Sequence, residues 1–197
     1  MKMIGSAAIL AGALLTAACG VEQERSQDAP ADIFMSTIAE HCGNAYAGNL
    51  VSTDAADADF AGQSMVMHVR ECRPNEIRIP FHVGDDHSRT WVLTRTDVGL
   101  RLKHDHRHED GSEDAVTQYG GDSSVVTGAR AEFPVDQYSI DIFIREGLTA
   151  SVTNVWAVEA TDSLFAYELR REGRFFRVEF DLTAPVAEPP PPWGAAD

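Results

Sequence analysis

Ile77-Arg78-Ile79-Pro80-Phe81-His82-Val83 decides the fold. Ile77, Ile79, Phe81 and Val83 alternate with Arg78, Pro80 and His82. In an extended chain successive side chains point to opposite faces, so a period of two predicts a strand with one face in a core. Pro80 has no N–H to give to a ladder, which predicts a sheet edge or a bulge at that point. The same period continues on both sides. Residues 65–72 read as one strand, and Pro74-Asn75 as the turn after it. Asp85-Asp86-His87-Ser88 turns into Trp91-Val92-Leu93-Thr94, and Asp97-Val98-Gly99 turns into a strand at 100–108. Glu109 to Asp114 is an acidic turn around Gly111. Residues 115–119 form a further strand that Gly120-Gly121 ends or bulges. Residues 151–160, 164–171 and 175–182 complete the set, with Glu172-Gly173 as a hairpin turn.

Two helices interrupt this pattern. Asp32 is placed to cap the first, where Phe34, Ile38, Cys42 and Ala45 share a face. Asp136 caps the second, with Val135 stapled onto Ile140 and a buried stripe of Ile140, Phe143 and Ile144. Gly147 stops that helix, and Leu148 folds back on Phe143. The expectation is a mainly β protein: a single antiparallel β-barrel or sandwich of about eight to ten strands with two short helices. Residues 32–183, about 150 in all, suffice for one domain with a proper core. Beyond them, Pro189 to Pro192 before Trp193 predict a proline-rich disordered tail over 184–197.

Charge narrows the partners. The chain of 197 residues carries 31 acidic and 16 basic side chains, a formal net charge of −15. Such a field disfavours nucleic acid and anionic lipid surfaces. No segment reaches the roughly 20 apolar residues of a membrane span. Ser123, Ser124 and Ser151 lack a nucleophile-elbow context, and no glycine loop is arranged to cradle phosphate. The Glu109–Asp114 turn lacks the oxygen spacing of an EF-hand. Trp91, Trp156, Phe165, Tyr167, Phe175 and Phe176 read as core, with an apolar pocket lining as the alternative.

The richest chemistry lies in Leu100-Arg101-Leu102-Lys103-His104-Asp105-His106-Arg107-His108-Glu109-Asp110. Leu100, Leu102, His104, His106 and His108 share one face; Arg101, Lys103, Asp105, Arg107 and Glu109 share the other. The leucine face is the core face, so the histidines continue the inward row towards an open barrel end. Alternate side chains sit about 6.6 Å apart, which lets two imidazoles reach one divalent transition metal, whereas the outer pair is about 13 Å apart. A metal site would therefore need another ligand, with His68, His82 and Tyr119 as candidates. The other reading is structural: the histidines bond to Asp110, Glu113 or Asp114, bind nothing, and respond to pH.

The amino terminus adds a location. Met1-Lys2-Met3 is followed by an apolar run from Ile4 and by Leu15-Thr16-Ala17-Ala18-Cys19. This resembles the signal and lipobox of bacterial lipoproteins. The resemblance implies removal of residues 1–18, a lipid on Cys19, and a flexible tether over 19–31. It implies the periplasmic side of the cell envelope, with Gly20 favouring the outer membrane. With Cys19 given to lipid, Cys42 and Cys72 form an isolated pair in an oxidising compartment and read as a disulfide.

Three further resemblances bear on the domain. The order of helix, meander, late helix and closing strands is similar to a lipocalin barrel in architecture alone. Gly99, six residues, His106-Arg107-His108, four residues, Glu113, six residues and Gly120 resemble the first cupin motif. That spacing implies His106, His108 and Glu113 as metal ligands. Residues 99–121 and Asn154-Val155-Trp156-Ala157-Val158 look similar to uncharacterised secreted proteins of Gram-negative bacteria. The first functional expectation is a lipid-anchored, non-enzymatic barrel. It would hold a small apolar ligand, a metal at His104, His106, His108 and Glu113, or an envelope protein partner. The alternative is a metal-dependent cupin-like enzyme using the same cluster.

Overall fold

In the computed structural model, which describes residues 29–195, helix α1 (Pro30–Ala39) is followed by β1 (Ala45–Leu50), β2 (Met65–His68), β3 (Glu71–Arg73) and β4 (Glu76–Val83). Then come β5 (Asp86–Thr96), β6 (Gly99–His106), β7 (Tyr119–Asp122), β8 (Val125–Val126) and β9 (Arg130–Pro134). Helix α2 (Gln137–Arg145) leads to β10 (Val155–Ala160), β11 (Leu164–Arg171) and β12 (Arg174–Val186). The signal segment 1–18, Cys19 and most of the proposed tether lie outside the described residues.

The strands form one antiparallel sheet in the order β7-β6-β5-β4-β2-β1-β12-β11-β10-β9-β8, with β3 paired to β4 off this path. The fold is mainly β, and the sheet curls into a barrel-like body. Its two ends approach at a seam. The Asp136 N–H donates to the Gly120 carbonyl at 2.9 Å. Ser139 Oγ both accepts from the Gly120 N–H at 2.8 Å and donates to its carbonyl at 3.1 Å. The sequence places Gly120 and Gly121 as the end or a bulge of a strand; they lie inside β7. A Cβ on Gly120 would sit 1.9 Å from the Leu102 carbonyl oxygen, and one on Gly121 would sit 1.9 Å from that of Pro134. Only residues without a side chain admit backbone this close on both sides.

Sequence parity survives into the interior. Directly opposed pairs on β5 and β6 run Leu93–Leu102, Trp91–His104 and Arg89–His106. On β11 and β12 they run Phe165–Phe180, Tyr167–Val178, Leu169–Phe176 and Arg171–Arg174. The inner surface thus passes from hydrocarbon through aromatic to cationic along one axis. At the hydrocarbon end α1 buries Phe34 and Ile38, and Arg95 at the end of β5 holds Asp32 at 2.6 Å. Asp32 is therefore an ion-pair partner and not the cap: Ala29 occupies that place and Pro30 starts the helix, where the missing N–H costs nothing.

Other expectations shift for local reasons. Residues 65–72 divide into β2 and β3, and the gap lies opposite Pro80 of β4. A proline is thus accommodated in an interior strand, with a register shift between Phe81 and Val83. The turn before β5 is Gly84-Asp85, so His87 and Ser88 belong to the strand. In α2 Asp136 caps as expected, accepting from the Ser139 N–H at 2.9 Å. The buried face, however, is Ser139, Ile142 and Phe143, while Ile144 faces solvent. Residues 149–153 are a 3-10 turn in place of a strand start. Asp105, expected on a solvated face, is buried between Arg78 and Arg107. β12 runs on through Pro185 to pair with β1. Of the segment expected as a disordered tail, the described residues up to 195 lie along the body, with the Trp193 N–H donating to the His87 carbonyl at 3.1 Å.

Cys42 and Cys72 are joined in a disulfide across 30 residues. It ties the chain just after α1 to β3. By loop-closure entropy a bridge of this span contributes about 3.5 kcal/mol.

Candidate binding cavity

At the cationic end the inward rows do not meet, and a cavity of about 290 Å³ opens. Its wall is aromatic. Trp91 stacks on Tyr167 with ring centroids 4.5 Å apart and on Phe81 at 4.7 Å; Trp156, Phe143 and Phe176 complete it. These rings come from β4, β5, β10, β11, β12 and α2, so the fold as a whole shapes the space.

A neutral hydrogen-bonded chain crosses this wall. His104 Nδ1 lies 3.0 Å from the Tyr119 carbonyl oxygen, and its Nε2 lies 2.7 Å from the Tyr167 hydroxyl. A carbonyl can only accept, so Nδ1 carries the proton and the Tyr167 hydroxyl donates to Nε2. The Tyr119 ring stacks on His104 at 4.4 Å, and its hydroxyl meets His106 Nε2 at 3.1 Å. Burial drives His104 down to about 3; burial, reinforced by Arg89, drives His106 down to about 4. Burial also raises both tyrosines. All four side chains are therefore neutral near pH 7.

Three arginines stand at the mouth, against one lining carboxylate, Asp114. Arg89 pairs with Asp86 at 2.7 Å and lies over the Phe60 ring. Arg174 pairs with Asp57 and with Asp54. Among the described residues Arg171 meets only the Asn154 amide oxygen, at 3.1 Å.

The residues expected to ligate metal separate here. His104 has both ring nitrogens engaged within the wall, and His106 faces the cavity. His108 lies past the end of β6 and is exposed. Glu113 is exposed on Arg107 at 3.2 Å and accepts from Gln118 at 3.3 Å. Of the other candidate ligands only Tyr119 joins the histidines. His82 pairs in register with Val66, between the inward pairs Met65–Val83 and Met67–Phe81, so it lies on the outer face of the sheet, where it is buried against His87. Among the described residues no group of three or more His, Cys, Asp or Glu side chains is disposed to hold a metal ion. Four of the six aromatics singled out, Trp91, Trp156, Tyr167 and Phe176, line the cavity. Phe165 lies in the core below, and Phe175 is on the outer face. No motif in the sequence singles out Arg89, Arg171 or Arg174. The signal was available, since each continues an inward row by parity, from Trp91, Leu169 and Phe176.

No protein-family model, no curated protein and no solved structure matches this chain.

A second recess of about 540 Å³, between His68, Arg70, Arg73 and Glu188, is polar and open, without an aromatic wall.

Proposed function

We propose that this chain is an exported protein, held on the periplasmic side of the envelope by a lipid on Cys19, whose barrel binds a small apolar ligand. One observation carries the binding: an aromatic-walled cavity of about 290 Å³, open at one end, in a body otherwise packed with side chains. Binding sites for small molecules are concave, largely apolar and carry a few placed polar groups, and this cavity has that composition. The lipobox-like segment supports the location, and the acidic surface suits a protein that stays off anionic headgroups except through its anchor.

An uncharged naphthylamine dye tests the cavity. Added to the full-length protein, it should gain fluorescence and saturate at one site, with quenching of the tryptophans. Val116→Trp, which fills the cavity from its wall, should weaken that binding at least about tenfold while the melting temperature holds. Linear, unsaturable dye uptake would remove the binding reading. The anchor is tested separately. Cys19→Ser should move the protein from the membrane fraction to the soluble fraction or stop its maturation, and unchanged membrane partition would remove the anchor.

A further inference from the structure

The choice of ligand rests on the binding reading above and on one side chain. Among the described residues, Arg171 is the single Arg or Lys with no carboxylate oxygen within 4.0 Å. The chain has 31 acidic side chains to 16 basic ones, so an arginine left without an acid is the exception in this surface. It stands at the mouth of the apolar cavity, at the end of the inward row Phe165, Tyr167, Leu169. A guanidinium has five N–H donors and keeps its charge at every accessible pH. Asn154 takes one of them, which leaves an edge of the fork open.

We propose that the cavity takes a single-chain carboxylate, its tail against Trp91, Trp156 and Phe176 and its head on the open edge of Arg171. The volume sets the tail. A water occupies about 30 Å³ of liquid, so the space holds roughly ten groups of that size, an acyl chain of about eight to ten carbons or an aromatic acid of similar bulk. A two-chain lipid does not fit. The head follows from the number of free cations. One planar fork matches one planar carboxylate. A phosphate monoester, nearer two charges, calls for a second cation, and Arg89 and Arg174 are already paired with Asp86, Asp54 and Asp57. The chain's overall negative charge opposes anions only weakly at this point. Screening at physiological salt acts over about 8 Å, so the local groups decide, and there the unpaired Arg171 faces one lining carboxylate, Asp114.

The test is displacement of the naphthylamine dye from the full-length protein by decanoate, decyl phosphate, decanol and decylamine. Decanoate should bind at least about tenfold tighter than decanol, as a charge-assisted pair requires, with decyl phosphate and decylamine weaker than decanoate. Arg171→Gln should bring decanoate to the level of decanol and leave decanol unchanged, which also reports an intact cavity. Arg171→Lys should recover part of the preference. Equal affinity for decanoate and decanol, equal weakening of both in Arg171→Gln, or a preference for decyl phosphate would each overturn the carboxylate assignment. If the dye and all four compounds fail to bind, the binding reading falls with it. If the dye and decanol bind without preference for decanoate, only the carboxylate is lost.

Discussion

Acidified from pH 7 to pH 4, the protein should unfold steeply, with most of the loss between about pH 6 and pH 4.5. Three histidines set this. In the native state burial holds His104 at about 3 and His82 and His106 at about 4; in the unfolded chain each titrates near 6.5. Above 6.5 both states are deprotonated and these groups give no pH dependence. Below it the unfolded chain takes up protons that the native state refuses. Stability therefore falls with pH through the whole window down to the folded values. Each group contributes about 1.4 kcal/mol per pH unit in that window. Three together remove on the order of 4 kcal/mol per unit, against a total stability of about 5–15 kcal/mol for a domain of this kind. Carboxylates held low by arginines, such as Glu168, act in the same direction at the acid end. Relief of the net negative charge acts oppositely, but it is spread over a screened surface.

The structural consequences differ among the three. Protonated His104 would aim a new N–H at the Tyr167 hydroxyl, which now donates to it. Among the described residues His82 is buried with both ring nitrogens unpartnered, so its charge would find no hydrogen-bond acceptor, with Asp86 attracting it and His87, His68 and Arg70 opposing it. His82→Leu loses no hydrogen bond and removes one titration. It should shift the acid midpoint down by roughly half a pH unit and reduce the slope by about one proton. Tryptophan fluorescence and near-ultraviolet circular dichroism follow the transition. A fold intact at pH 4, or a slope that His82→Leu leaves unaltered, would refute the assignment.

The second large effect is expected at the seam. Gly121→Ala should cost at least about 3 kcal/mol, and Gly121→Val should leave no cooperative unfolding transition. The added Cβ would lie 1.9 Å from the Pro134 oxygen and 3.0 Å from its carbon. Those are backbone atoms, fixed by the pairing of β9 with β10, and they have no rotamer to escape into. Gly147→Ala is the control. Its position has φ of +76° with nothing within 4 Å, so it should cost only the roughly 1 kcal/mol of a left-handed side chain. Urea midpoints separate the two. An unchanged midpoint for Gly121→Ala would mean that the ends of the sheet do not meet there.

Much of the architecture was legible because period two is a local signal. The row from Ile77 to Val83, the parity of Leu100 to His106, the Glu172-Gly173 hairpin, the Asp136 cap and the Cys42–Cys72 bond each follow from residues close in sequence or from simple pairing. What was not legible depends on contacts between distant segments. Gly120-Gly121 reads as a strand end or bulge until the backbones of Leu102 and Pro134 are placed on either side of it. Asp32 reads as a cap until Arg95, 63 residues away, claims its carboxylate. Ile142 replaces Ile144 in the buried face of α2 because β7 and the 3-10 turn at 149–153 set the side from which the helix is covered. The histidine row was read correctly to His106 and one step too far at His108, where the strand has ended. The cavity itself is a difference between rows that converge and rows that do not, and only the curled sheet reveals it.

Helix α1 stoppers the barrel with Phe34 and Ile38 at the end remote from Arg171. The interior is thus a cul-de-sac with one doorway. On the proposed binding reading a guest would enter and depart past the same guanidinium, so capture and release could not be tuned independently. The described chain begins at the stoppered end, with Ala29 and Pro30 opening α1, opposite the arginines of the mouth.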